Sequence, residues 1–478
     1  MPEFNSESQF QRFREELYNC FDARADAAME LLDALSSNQS ARSVVELSLN
    51  PWFRREYSSL YKAIEACFSS SSSDVDDAID KTQLLSAIAP TVPVPQQQSF
   101  YLFGLDVTPQ ARPFAPTLSE RSLVYQPTVV SGNKPITIGH NYSMLAALPE
   151  RQAGDAPWTI PLTLERVGSE QTSLEVGHAQ LAQVLKQEML SWFNQLCVLV
   201  VDSAYGVKSF LSPLQEYENL VVIARVRSNR VFYQAPVSCP WPRRRGHPTW
   251  YGERFALNDE STWLAPAEVA HTQSQTQKGR TLNVTITVWH NLLMRGSKEA
   301  PMHDKPFTLV RIESVDATGK RVFRPMFLTV NGVRRHQLSP QQSWQSYRQR
   351  FNLEHTFRFE KQNLLLNDFQ TPELEHEENW VTLVMLAYVQ LWVAHSLATH
   401  LPRPWERYLS TSPSGRISPS KVQQDWDRII CQLGTPAVAP KPRGKSPGRQ
   451  KGQTQTPRSR FKVIKKGNSS QTKVEDAA

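Results

Sequence analysis

The chain has 478 residues, 40% of them hydrophobic and 21% charged, enough for two or three domains and at least one sizeable core. A formal net charge of +7 favours an anionic partner without requiring one. The five cysteines (Cys20, Cys67, Cys197, Cys239 and Cys431) have no C-x-x-C spacing, which argues against a disulfide framework or a zinc site and for a reducing, cytoplasmic setting.

The N-terminus MPEFNSESQF lacks a basic region followed by an apolar run, so no secretory leader is expected. Two stretches, SQFQRFREELYNCFDARADAAMELLDAL and PWFRREYSSLYKAIEACF, carry apolar residues at helical spacing, which predicts a helical domain over 1–90. It reads either as a module that binds DNA ends or as a packing or dimerisation unit. The tract SSSSSD and then PTVPVPQQQ look like breaks, and a domain boundary is placed there.

Strand signals follow. SFYLFGLDVT from Ser99, KPITIGHNYSML from Lys134 and WTIPLTLERV from Trp158 suit buried strands. HAQLAQVLKQEMLSWFNQL has helical period and leads into CVLVVD, an apolar run ending at Asp202. ENLVVIARVRSN is a further strand candidate. Helix, buried strand and an acid at the strand's carboxyl end are the grammar of an α/β fold. The reading gives a first core part over 97–227 and a β-rich insertion over 228–337, built from VFYQAP, TLNVTITVWH, FTLVRIESV and VFRPMFLTVNG. Helical period returns over 338–402. There WVTLVMLAYVQLWVAHSL, interrupted by Thr382, Gln390 and His395, reads as a buried core helix and not a membrane span. The extension over 403–478 ends in a tail dominated by Pro, Gly, Lys and Arg, expected to be disordered. That tail is either a solvated segment or an arm for phosphates.

Asp106 ends FYLFGLD and Asp202 ends CVLVVD. Buried strand-end acids need a hydrogen-bonding or cationic partner, and each alone is equally a turn or cap residue. With a third carboxylate they would make a hard oxygen site suited to Mg2+ or Mn2+. The stretch YRQRFNLEHTFRFEKQ over 347–362 offers that third acid. At about 100° per residue, Tyr347, Arg350, Glu354 and Lys361 lie on one helix edge beside an apolar stripe of Leu353, Phe357 and Leu364.

This spacing, Tyr347-x2-Arg350-x3-Glu354-x6-Lys361, resembles the Y-x2-R-x3-E-x6-K signature of bacterial insertion-sequence transposases with a DDE catalytic core. Asp106 within LDVT and Asp202 within DSAY resemble the first and second acids of that family. The resemblance covers about residues 100–400. It implies an RNase H-like mixed sheet flanked by helices, interrupted by the β-rich insertion, behind an N-terminal helical domain. It also implies that Asp106, Asp202 and Glu354 hold two divalent ions, Mg2+ or Mn2+, for strand cleavage at element ends and strand transfer into a target. Tyr347, Arg350 and Lys361 would then hold double-stranded DNA. The segment PWPRRRGHPTWYGER adds Arg243, Arg244, Arg245 and Trp250, basic residues interleaved with rings that suit DNA contact or a surface loop over packed aromatics. A nucleoid-associated, membrane-free protein that pairs DNA ends as a homodimer is the further implication. Another RNase H-like nuclease of resolvase type, or an inactive DNA-binding regulator, stays open. His140 in GHNYS reads as a hydrogen-bonded core histidine.

Overall fold

A computed structural model describes residues 6–68, 81–126, 135–152, 154–236, 250–276, 279–399, 416–442, 452, 454 and 457–465. Four helices come first: α1 (Ser6–Asn19), α2 (Ala25–Ser36), α3 (Tyr57–Ala66) and α4 (Lys81–Ile88). The central strands and helices follow as β1 (Phe100–Ala111), β2 (Ser122–Tyr125), β3 (Ile136–Ala147), β4 (Ile160–Val167), α5 (Ser173–Leu185), β5 (Leu196–Val201), α6 (Lys208–Leu214) and β6 (Leu220–Val226). Next are β7 (Val231–Tyr233), β8 (Arg254–Ala256), β9 (Glu268–Gln275), β10 (Thr281–Leu292), β11 (Phe307–Val315) and β12 (Met326–Asn331). The chain then turns helical in α7 (Pro340–Gln349), α8 (Phe351–Asn363), α9 (Leu374–Val393), α10 (Pro419–Gln424) and α11 (Trp426–Leu433).

β4, β3 and β1 pair antiparallel, and β5 and β6 run parallel to β1 on its other side. β5 reads LCVLVV and is buried at every position, as a parallel strand covered on both faces must be. The result is the mixed sheet flanked by helices that the RNase H-like expectation requires.

Two expected boundaries do not divide the molecule. The outer edge of β6 would expose unpaired backbone groups, and β12 pairs there, with Phe327 opposite Val226. β11, β10 and β9 continue outward, so most of the strands expected as a separate insertion extend the central sheet. The N-terminal helices likewise share the main core. α2 is apolar around most of its circumference, the pattern of a buried helix, and is covered from Ala27 to Ser36. Arg14 on α1 pairs with Asp33 on α2 at 2.5 Å and donates to Gln390 on α9 at 3.0 Å, fixing the N-terminal helices to the last long one.

α9 is the buried helix its composition predicts, and among the described residues no helix is long and apolar enough to cross a membrane. His140 is a hydrogen-bonded core histidine, its Nδ1 2.8 Å from Glu377, which also accepts from Arg112 Nε at 2.9 Å. The tail departs from its expected disorder over 457–465. The Phe461 N–H donates to the Pro116 carbonyl and the Ile464 N–H to that of Arg121, both at 2.8 Å, along the edge next to β2. An uncovered strand edge carries free backbone groups, and this segment satisfies some of them.

Candidate active site

The parallel register of β1 with β5 sets Leu105 opposite Val201. One residue further along the chain in each case stand Asp106 and Asp202. Asp202 follows the end of β5, but Asp106 does not close its strand as the apolar run FYLFGLD suggests: β1 runs on to Ala111, held there by its pairing with β3. Asp202 is fixed by a turn in which its Oδ1 accepts the Ala204 N–H at 2.8 Å. The turn then presses close to β6: a Cβ at Gly206 would lie 2.6 Å from the Arg225 carbonyl oxygen, a distance only glycine allows.

α8 delivers the third acid. A Cβ at Gly104 would lie 2.8 Å from Leu353 Cδ1, so this glycine lets α8 rest directly on β1. Glu354 follows Leu353 on the helix, and Gly104 stands two residues before Asp106. The close approach therefore brings the two acids to one rim. Arg350 closes the arrangement, donating from Nη1 to Asp106 Oδ2 at 2.6 Å and from Nη2 to Glu354 Oε1 at 2.8 Å. Its guanidinium carbon also lies 5.4 Å from the centre of the Phe351 ring.

The expected single helix is divided. α7 ends and α8 begins at Arg350, whose φ of -53° and ψ of -34° are still helical, so the i,i+4 pairing with Glu354 survives. Tyr347 is 1% exposed, which is at odds with its expected contact to DNA. Its buried side chain stands beside Arg350, which acts on the phenol by charge and hydrogen bonding. Lys361 donates to the Pro109 carbonyl of β1 at 3.0 Å and so ties α8 to the strand bearing Asp106. Arg243, Arg244 and Arg245 lie outside the described residues. Trp250 is exposed and stacks on His303, ring centres 4.5 Å apart.

Electrostatics follow from this packing. Burial pushes the Asp106 carboxyl up to about 6; Arg350 and the Val107 N–H oppose that, while the charges of Asp202 and Glu354 add to it. Burial disfavours charge on Arg350, but Asp106 beside it holds the guanidinium above its ordinary value. Burial lowers Lys361. Among the described residues no three His, Cys, Asp or Glu side chains are gathered closely enough to hold a metal ion. The donor chemistry nevertheless suits Mg2+ or Mn2+: the carboxylates of Asp106 and Glu354 share Arg350, and the charge of Asp202 acts on both Asp106 and Arg350. Arg350 lies between Asp106 and Glu354 and donates to both.

A family model described as DDE superfamily endonuclease matches residues 16–291. The chain belongs to that family. In this DDE superfamily endonuclease the matched span takes in the last turn of α1, the helices α2 to α6, both Asp106 and Asp202, and the strands through nearly all of β10. It ends before α7, so Glu354 and the Tyr-Arg-Glu-Lys spacing stand outside it. No curated protein matches the chain significantly. The sequence motifs missed two features of the endonuclease site. Gly104 was a visible glycine in a strand, a signal of close backbone approach. Arg225 and Arg227, two residues apart on one strand end, carried the signal of a shared face.

Proposed function

We propose that this DDE endonuclease is the transposase of an insertion sequence, cutting phosphodiester bonds at element ends and joining the freed strand to a target. The observation that carries the reading is the parallel register of β1 and β5, which sets Leu105 opposite Val201 and so places Asp106 and Asp202 on neighbouring chain segments, with Glu354 held to Asp106 through Arg350. Asp106, Asp202 and Glu354 would hold two Mg2+ or Mn2+ ions. When bound, such ions supply Lewis-acid polarisation of the phosphate and ready deprotonation of an attacking water or 3′-hydroxyl.

The chain's own groups do the rest. Arg350, planar and doubly donating, matches a phosphate as well as it matches two carboxylates, and it releases the acids as DNA arrives. Tyr347 supports Arg350 from below, and Lys361 holds α8 on β1 so that Glu354 keeps its place. The substrate is double-stranded DNA, Trp250 and the basic segment before it add contacts outside the acids, and two protomers pair two ends on nucleoid DNA.

The test is a reaction of the purified chain with Mg2+ and DNA carrying the sequences that flank its gene. Cleavage at the flanks followed by joining to a second DNA is expected. Cleavage of branched DNA without joining would favour the resolvase-type nuclease, and DNA binding without cleavage the inactive regulator.

A further inference from the structure

A cavity of about 560 Å3 opens beside the acids, lined by Arg225, Arg227, Arg311, Arg321 and Arg324 around Trp263. A second, of about 490 Å3, shares Ser203 and Arg227 with it and adds Arg230. Ser203 follows Asp202, so the two cavities form one trough that starts at the catalytic rim. The charges in it are not balanced. Arg311 and Arg321 share Glu313 at 2.9 and 2.6 Å, and Arg311 also reaches Glu260 at 3.5 Å. Arg225, Arg227, Arg230 and Arg324 have no ion pair among the described residues, and the first two are exposed at the end of β6.

Trp263 is not a platform for a base. Its indole N–H donates to the Ala256 carbonyl at 2.7 Å, and Arg311 lies over its ring at 5.0 Å. Trp263 and Glu313 thus hold Arg311 in place and leave the trough to cationic groups. Unpaired guanidiniums in a row suit phosphodiester oxygens and carry no means of reading bases.

We propose that this trough binds the DNA backbone flanking the cut, so that the duplex leaves the acids along the junction of β6 with β12. The inference rests on the DNA-cutting reading and adds a path for the substrate. Because the contacts are to phosphate, a duplex of arbitrary sequence serves as probe. Binding is measured by fluorescence anisotropy against salt for the full chain and for Arg225→Gln/Arg227→Gln/Arg324→Gln. A control, Lys62→Gln/Lys186→Gln/Lys298→Gln, removes equal charge from exposed positions elsewhere. Each phosphate contact contributes about 0.9 to the slope of log affinity against log salt, so the trough variant should lose roughly 2–3 from that slope and the control much less. A trough variant that matches the parent or the control, in a chain that binds and cuts DNA, overturns the trough and leaves the enzymatic reading standing. A parent chain that binds no duplex at low salt overturns both. Matching thermal melts show that the substituted chains are folded.

Discussion

Arg350 reaches Asp106 at 2.6 Å across 244 residues of sequence, joining the helical end of the chain to its first central strand. The same guanidinium holds Glu354 at 2.8 Å, so one cation keeps two like charges together where a divalent ion would otherwise be needed. Removing it leaves a poorly solvated carboxylate unpaired. Arg350→Gln is expected to cost about 2–4 kcal/mol in chelator, because an uncompensated buried charge is expensive. It should also gain more thermal stability from Mn2+ than the parent does. Melts with and without the ion check both statements; equal gains would mean that Arg350 and the metal do not compete.

Gly104 sets the distance between α8 and β1. Gly104→Ala places a methyl 2.8 Å from Leu353 Cδ1 and 3.2 Å from Leu148 Cδ1, so buried side chains must shift, and overpacking of this kind costs about 1–3 kcal/mol. Glu354 moves with α8, so cleavage should fall at least about tenfold, since small misplacements are costly in catalysis. Leu353→Ala added to Gly104→Ala returns the space, and partial recovery of cleavage is expected in the double variant. No recovery would separate the glycine from the placement of Glu354.

Glu360 tests the core below the site. It is fully buried on α8, neither carboxyl oxygen has a hydrogen-bond partner among the described residues, and burial raises its pKa to about 8, opposed by Lys361. From α9, Tyr388 is the titratable group facing it. A carboxyl raised in the folded state stays protonated while the unfolded chain releases its proton. Stability therefore declines as pH rises from the ordinary carboxylate value to about 8, then levels. Glu360→Met should remove that slope and stabilise the chain at neutral pH by on the order of 1 kcal/mol, since it buries no unpaired polar group. Denaturant melts from pH 5 to 9 read the difference.

The acids were legible because each closes a run of apolar residues long enough for a buried strand, as in LCVLVV before Asp202. The pairing of Arg350 with Glu354 was legible from helical spacing. Its contact with Asp106 was not, since nothing local specifies which strand α8 rests on. β9 was missed because EVAHTQSQ has no apolar alternation; it is held by backbone pairing to β10. The β-rich insertion read as separate because alternation shows that strands form, not which edge they join, and β12 joins β6. α1 to α4 were legible as helices, but their union with α9 depends on Arg14, Asp33 and Gln390, which meet only in three dimensions.

Asp106, Asp202 and Glu354 are proposed to act together in metal-dependent DNA cleavage. The most direct measurement compares the parent chain with Asp106→Asn, Asp202→Asn and Glu354→Gln, each assayed with Mn2+ on DNA bearing the gene's flanking sequences, with binding followed in parallel. Each substitution should reduce cleavage by at least about a hundredfold while binding persists. Full cleavage by Glu354→Gln, in a folded chain that binds DNA, would remove Glu354 from the reaction and overturn the three-acid site.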